Sequence, residues 1–585
     1  MISGGFRQST GSLRAARFCL GLALFLCLQA GQAQSLQPEG SSGFAPRPAA
    51  VGKRYMAVTA NAHATDAALE ILQLGGNALD AAIAAQWVLN VVEPQSSGIG
   101  GGAFLLYWNA SARQIHAWDG RETAPASIAS DFAMRSDGSL VPFFDVLASG
   151  RAVGVPGLAA TLEAVHRKHG KLRWERLLAP AIRLADNGFP ISPRLHLLLR
   201  DDSLLRRDPE ALALYFEPTG EPKATGTLLR NTELADVLRR LAHEGSLALH
   251  RGEVAAKIAA AVKKRGGDLR LDELSGYRPR EREAVCGKFR HWRICGMPPP
   301  SSGGIAVLQI RGILERGGLP PGDPERPDAV HLFAEAGRLA FADRARYLAD
   351  PDFVPVPRRE LLSHGYLQQR ARLLDLQRAM GHAAPGELVS GLAHSDGDSP
   401  ELPATTHLSV VDQEGNAVAL TSSIESVFGS RIQVSGFLLN NQLTDFALGP
   451  GRDGKPSANR AEPGKRPMSS MAPTLVFDER GSLHAVLGSP GGSRIINYVA
   501  RSLLAVLDGK LDPAAALALG HVGNRNGVTE VEQGRIGQGL RRELVRRGHE
   551  LQMLDMTSGL HLIVRRDGLW VGAADPRREG TARGE

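Results

Sequence analysis

No apolar stretch in this 585-residue sequence reaches the roughly 20 residues that a bilayer-spanning helix requires, so nothing in it reads as a membrane span. Concentrated positive charge is missing too. The formal charge is +7, and the first 33 residues carry three of those charges (Arg7, Arg14, Arg17) without any acid. The +4 that remains is too dilute to argue for nucleic acid, and pairs such as Arg358-Arg359 and Arg541-Arg542 read as solvated surface. Cysteine is scarce: there are four, without metal-ligand spacing, and no metal is expected. No segment repeats at solenoid spacing. A dinucleotide fold is also excluded. Gly98–Ala103 satisfies the glycine pattern formally, but a helical run precedes it and the strand-like Phe104–Trp108 follows, the reverse of what that fingerprint needs. Close approach of backbones is the simpler reading of these glycines.

What is present begins with an export signal. The basic start, the apolar run Phe18–Leu28 and the small residues of Gln29-Ala30-Gly31-Gln32-Ala33 predict a signal peptide over 1–33, cut after about Ala33, and a periplasmic or secreted protein. Cys19 and Cys27 leave with it. Cys286 and Cys295 bracket a segment that, as a hairpin turning at Arg290-His291, would set the two sulfurs opposite each other. In an oxidising compartment a disulfide follows; the alternative is two reduced buried thiols. Residues 34–53, rich in Ser, Gly and Pro, read as a disordered linker, with order beginning at Tyr55. Helical periodicity covers His63–Leu74 and Asn77–Val92, and the second is apolar nearly all round and so predicted to be buried. The middle of the chain reads mainly as helices. After Thr405 come three hairpins, with turns at Gln413–Asn416, Asp478–Gly481 and Arg565–Gly568, beside a helix over Ser493–Leu507. The sum is a layered α/β fold with much antiparallel sheet.

The sharpest feature is Ala404-Thr405-Thr406-His407, at the mouth of the first of these hairpins. Paired threonines in a strand are ordinarily structural. If the bond before Thr405 were cut, however, one residue would hold both a nucleophilic hydroxyl and, in its new α-amine of pKa about 7.7 to 8, a base. The polar segment Gly386–Ala404 just ahead suits a chain that is cut and then retracts. Polar clusters recur at Gly120–Pro125, Leu439–Phe446, Arg466–Met471 and Gly488–Ser493. In this order, and with Gly75–Ala78, the glycine run, Met297–Gly304 and Asp575–Gly580, they resemble the γ-glutamyltransferase family, also called γ-glutamyltranspeptidase or glutathione hydrolase. The resemblance runs from about Tyr55 to Glu579.

The resemblance implies an N-terminal nucleophile hydrolase, an αββα sandwich in which one precursor cuts itself between Ala404 and Thr405. The products would be a large subunit, 34–404, and a small catalytic subunit, 405–585. It makes Thr405 the nucleophile, Ser423 its hydroxyl-bearing neighbour, and the N–H groups of Gly491 and Gly492 the oxyanion donors. Arg121, aided by Ser469 and Ser470, would grip the donor's α-carboxylate, and Gln442 and Asp445 its ammonium. No cofactor is implied. Substrates would be glutathione and related γ-glutamyl amides, with water, amino acids or dipeptides as acceptors. Two departures stand out: Glu425 replaces the family's common Asn at the amine-binding position, and Ala447–Pro467 is short and free of aromatics, which predicts an open pocket that favours hydrolysis over transfer. The alternatives are a cephalosporin or glutaryl-amide acylase on the same scaffold, and an uncleaved, non-catalytic homologue.

Overall fold

The computed structural model describes Met1 and residues 41–585, apart from 392, 393, 398, 400, 403, 450, 453 and 454. Apart from Met1, the expected signal peptide over 1–33 lies outside the described residues. The expected linker does not stay unstructured to residue 53. Ala50–Gly52 is an edge strand paired antiparallel with Leu569–Ala574, because its backbone groups complete the margin of a sheet, and order therefore begins before Tyr55.

Two seven-stranded antiparallel sheets form the centre. In one, the strand order is Ala50–Gly52, Leu569–Ala574, His561–Arg566, Leu483–Gly488, Thr474–Phe477, Trp292–Gly296, Val285–Phe289. In the other it is Thr581–Gly584, Met56–Thr59, Thr406–Val411, Ala417–Ser423, Gly102–Asn109, Gln114–Gly120, Arg280–Arg282. Both sheets take strands from each side of Ala404, so a cut there would leave two interwoven pieces.

The strand sequences explain the layering. In the second sheet Ala103, Leu105, Tyr107, Leu408, Val410, Val418 and Leu420 pack into one core with the helices Ala62–Gln73, Ala78–Val92, Leu158–His169 and Trp174–Asn187. The alternate residues Phe104, Leu106, Trp108, Val411, Ala417 and Ala419 enter a second core with the first sheet and the helices Gly303–Arg316, Pro327–Tyr347 and Ile495–Leu503. A strand buried on both faces reads as apolar without alternation, which is why period-two patterning is weak here. The order of layers is helix, sheet, sheet, helix: the αββα sandwich.

Local chemistry fixes the pieces that reach the site. Ala78–Val92 starts at a capping box between Asn77 and Asp80, and all of its residues are buried. The glycine run permits close backbone approach. A Cβ on Gly100 would collide with the Leu438 carbonyl oxygen, one on Gly101 with that of Ser423, and one on Gly102 would lie 2.5 Å from the Glu122 carboxylate. The expected helix over Ser493–Leu507 is three segments of different pitch, a 3₁₀ turn at Gly492–Arg494, an α-helix at Ile495–Leu503 and a π turn at Leu504–Asp508. Cys286 and Cys295 face each other across the Val285–Phe289/Trp292–Gly296 hairpin with their sulfurs bonded at 2.08 Å.

Asn440 ties the glycine run to the polar loop that follows it. Its Nδ2 donates to the carbonyls of Gly100 (2.7 Å) and Gly154 (2.9 Å), and its Oδ1 accepts from the N–H groups of Gly154 (2.9 Å) and Gln442 (3.0 Å). Asn440→Ala would strand three buried backbone groups, the Gly154 carbonyl and the N–H groups of Gly154 and Gln442, since the Gly100 carbonyl keeps the backbone N–H of residue 440 (3.2 Å). At about 1 kcal/mol per lost bond, and more for each group left unpaired, a loss of about 3 kcal/mol or more is expected in denaturant melts. A change below about 1 kcal/mol would contradict this role.

Candidate active site

Thr406–Val411 pairs with Ala417–Ser423 so that Thr406 stands opposite Ser422, and the same register carries Thr405 opposite Ser423. Thr405 is buried. Its Oγ1 donates to the Ala404 carbonyl oxygen at 2.7 Å and lies 3.3 Å from Ser423 Oγ, which donates to that same carbonyl at 2.7 Å. Two hydroxyls therefore converge on the peptide bond at the expected cut. The N–H of Glu425 donates to Ser423 Oγ (2.8 Å), and Arg578 Nη1 holds the Thr405 carbonyl (3.1 Å). Behind them the Thr406 hydroxyl donates to the buried Glu93 carboxylate at 3.3 Å. His407 is spaced between the Thr421 (2.8 Å) and Ser409 (3.1 Å) hydroxyls, and burial pushes its imidazole well below the ordinary range, so it is a neutral packing residue rather than a base.

A narrow cavity of about 20 Å³, room for little more than one water, is lined by Arg121, Thr405, Ser423, Glu425, Gln442, Asp445, Ser469, Ser470 and Gly492 together with Glu401 and Leu402. Gly491 adjoins Gly492 at the start of the 3₁₀ turn, with φ of +134° and +58°. A Cβ on Gly491 would strike the Tyr498 ring at 2.7 Å, and one on Gly492 the Leu402 carbonyl oxygen at 2.8 Å. Glycine is demanded at both positions.

The polar groups pair with one another and with the backbone. The Arg121 guanidinium donates to its neighbours in the loop rather than to the Ser469 or Ser470 hydroxyls. Its Nη2 donates to Asp445 Oδ2 (2.5 Å) and the Met468 carbonyl (2.8 Å), and its Nε to the Pro467 carbonyl (3.1 Å). Ser469 Oγ accepts the Met471 N–H (3.1 Å), and Ser470 Oγ accepts from Arg344 Nη2 (2.9 Å). Gln442 Nε2 donates to Asp445 Oδ2 at 2.8 Å. Gln442 Oε1 and Asp445 Oδ1 are left buried with no hydrogen-bond partner. Both residues line the one cavity, and acceptors of this kind suit a donor-rich cation. Glu425, in the left-handed region at φ +78°, adds a third acceptor group. Its carboxylate accepts the Leu402 N–H (2.9 Å) and the Asn441 side-chain amide. Burial, and the Asp445 carboxylate beside it, hold Glu425 well above the usual carboxylate range, while burial raises Asp445 against the pull of Arg121.

The site is thus filled by the chain's own segment ahead of Thr405. Leu402 donates to Glu425 and rests on Gly492, and Glu401 pairs with Arg344. Sequence reasoning missed Glu401 and Arg344, as well as Asn441, Arg578 and Glu93. Arg344 carries no local signal within Pro327–Tyr347, a helix whose periodicity marks it only as buried. Among the described residues the one group spaced for a metal is His116, His169 and Glu281, with ligating atoms within 4.8 Å of one another; none of the three lines this cavity.

The family model described as gamma-glutamyltranspeptidase matches residues 64–585. The chain belongs to the γ-glutamyltranspeptidase family. It is 36% identical over 478 residues to a protein of Bacillus subtilis (strain 168) named glutathione hydrolase proenzyme, covering 80% of each chain. It is 35% identical over 541 residues to the Escherichia coli (strain K12) protein of the same name, covering 90% of each. Among solved structures, the cephalosporin acylase of Bacillus halodurans superposes with a TM-score of 0.81 at 27% identity, over 94% of this chain and 99% of that one. The αββα arrangement is therefore that of family members that include both hydrolases and acylases.

Beneath the site, burial pushes both Glu93 and Glu122 up to about 8. A carboxyl raised in the folded state relative to about 4.5 unfolded holds its proton longer on folding, so stability falls as pH rises from about 4.5 to about 8. Glu93→Gln is expected to flatten that decline in unfolding free energy, measured by denaturant melts at several pH values, by an amount on the order of a few kcal/mol across the window. An unaltered slope would place the ionised form in the fold.

Proposed function

We propose that Thr405 is a nucleophile which first cuts its own chain and then transfers γ-glutamyl groups. In the precursor its Oγ1 attacks the Ala404 carbonyl carbon through a five-membered ring. The C–O bond forms as the C–N bond breaks, the hydroxyl proton passes to the departing amide nitrogen, and the resulting ester is hydrolysed by water to free the Ala404 carboxylate. Ser423 polarises the carbonyl by donating to its oxygen. The freed α-amine of Thr405 then serves as base in turnover. It accepts the hydroxyl proton as Oγ1 attacks the γ-carbonyl of a γ-glutamyl amide such as glutathione, the Gly491 and Gly492 N–H groups receive the oxyanion, and the amine departs with a proton. Water or an amino acid or dipeptide then takes the acyl group. The large subunit would be 34–404 and the small one 405–585.

The observation that carries this reading is the pair of orphan acceptors, Gln442 Oε1 and Asp445 Oδ1, with Glu425 beside them. An ammonium supplies the donors that the two orphans lack. A glutaryl or cephalosporin side chain, without an α-amine, would leave them unpaired at a cost of about 1 to 3 kcal/mol each. The acylase reading rests on the likeness to the Bacillus halodurans acylase. The short segment Ala447–Pro467 folds back on the site, where Asn459 Nδ2 donates to the Asp445 carbonyl (2.7 Å), and it places no aromatic over the pocket. Hydrolysis is accordingly proposed to dominate over transfer.

Two outcomes are expected. Wild-type protein gives two bands on a denaturing gel and Thr405→Ala one, near the full mature mass and without turnover of a chromogenic γ-glutamyl anilide; two bands from the variant would refute self-cleavage by Thr405. With cleaved enzyme, kcat/KM for the γ-glutamyl anilide should exceed that for the matched glutaryl anilide at least 100-fold, from two restored hydrogen bonds to charged groups at about 1.5 kcal/mol or more each. The reverse preference would establish the acylase.

A further inference from the structure

Arg344 is buried at the junction of two cavities. Its Nε donates to Ser302 Oγ at 2.8 Å, and its Nη2 reaches both Ser470 Oγ, at 2.9 Å, and the Glu401 carboxylate. On one side lies the narrow cavity at Thr405, which Glu401 and Ser470 line. On the other, Arg344 lines a polar cavity of about 410 Å³ shared with Ser493, Arg525, His382, Asn526 and Asp396. Ser493 directly follows the Gly491-Gly492 pair and accepts from Arg525 Nη1 at 2.8 Å. Arg525 is otherwise committed to Glu530 (2.5 Å), and Asp396 to Arg346 (2.5 Å). The carboxylate that Arg344 holds belongs to a residue four positions before Thr405, on the segment whose backbone fills the pocket. No substrate can enter until that segment withdraws, and withdrawal takes Glu401 with it. A desolvated guanidinium is left beside Thr405, facing the larger cavity and short of one carboxylate.

We propose that Arg344 is a binding site for a carboxylate on the far side of the scissile amide, that is, on the leaving group or on the acceptor amine, and that Glu401 occupies it in the precursor. This rests on the self-cleavage reading given above. The ligand class is an amino acid or short peptide with a free carboxylate, bound as a charge-assisted pair with Arg344 and steered by the positive charge of Arg525. The donor's own α-carboxylate is the competing source. The larger cavity, which Arg344 lines and to which neither Gln442 nor Asp445 contributes, favours the leaving side.

Two γ-glutamyl nitroanilides that differ only in a ring carboxylate separate these sources. Cleaved wild-type enzyme is expected to favour the carboxylated anilide in kcat/KM by about 10-fold, as one charge-assisted hydrogen bond of about 1.4 kcal/mol implies. Arg344→Gln should bring that ratio to about 1 whatever the absolute rates, and Arg344→Lys should restore part of it. Glycylglycine should likewise outperform glycinamide as an acceptor for wild type and lose that advantage in Arg344→Gln. A wild-type ratio near 1, or a ratio unchanged by Arg344→Gln, overturns the assignment. Equal losses on both anilides overturn it in favour of the donor carboxylate. If the Arg344→Gln precursor stays uncut, the wild-type ratio alone decides. A denaturing gel run in parallel separates the two ideas: uncut wild type refutes self-cleavage, whereas cut enzyme with a ratio near 1 refutes only the carboxylate site.

Discussion

The registration of Thr406–Val411 against Ala417–Ser423 is the constraint on which the rest depends. Side chains alternate across a strand with a period of two, so a slip by one residue would turn Thr405 and His407 into the helix-side core and Leu408 out of it. Burial on both faces forbids such a slip. The apolar residues of neighbouring strands alternate between two cores, and neither has room for a hydroxyl or an imidazole out of place. Precision at the position of Thr405 is thus a by-product of packing over the whole sandwich.

Around that fixed point the chain concentrates charge where water is scarce. Arg121, Asp445, Glu425 and Arg344 are all buried within one small volume, and each is partnered by another charge, a carbonyl or an amide. Two partners come from the segment that fills the site, the Leu402 N–H and the Glu401 carboxylate. The same groups thus meet chain atoms before a cut and would meet substrate atoms after it. A low-dielectric setting magnifies both the attraction to the right ligand and the cost of leaving a group unmatched.

Much of this was legible in the sequence, for identifiable reasons. The hairpins after Thr405 declare themselves through turn residues between apolar runs, and the strands of 406–411/417–423, 474–477/483–488 and 561–566/569–574 lie where those runs lie. Gly98–Gly102 could be read as backbone contact because helix before and strand after contradict a nucleotide turn. Gln442, Asp445, Ser469, Ser470 and the glycine pair do line or adjoin one cavity. Their mutual bonding was not legible, since Arg121 and Asp445 are 324 positions apart and nothing local says that they touch. Arg344 was hidden for the same reason, inside a helix where a buried arginine looks like any other. Ala50–Gly52 was misjudged because three residues at a sheet margin are ordered by their neighbour's backbone rather than by their own composition.

The contact between Leu402 and Gly492 has a consequence of a different kind. On the proposed self-cleavage the molecule's first customer is itself, and that customer can be served only when strands drawn from both halves of the chain have already met around it. A misassembled copy would lack the convergence of hydroxyls on the Ala404 carbonyl and would stay shut. Exposure of a reactive site would thereby be conditional on successful assembly, a checkpoint enforced by the architecture without any separate inspector.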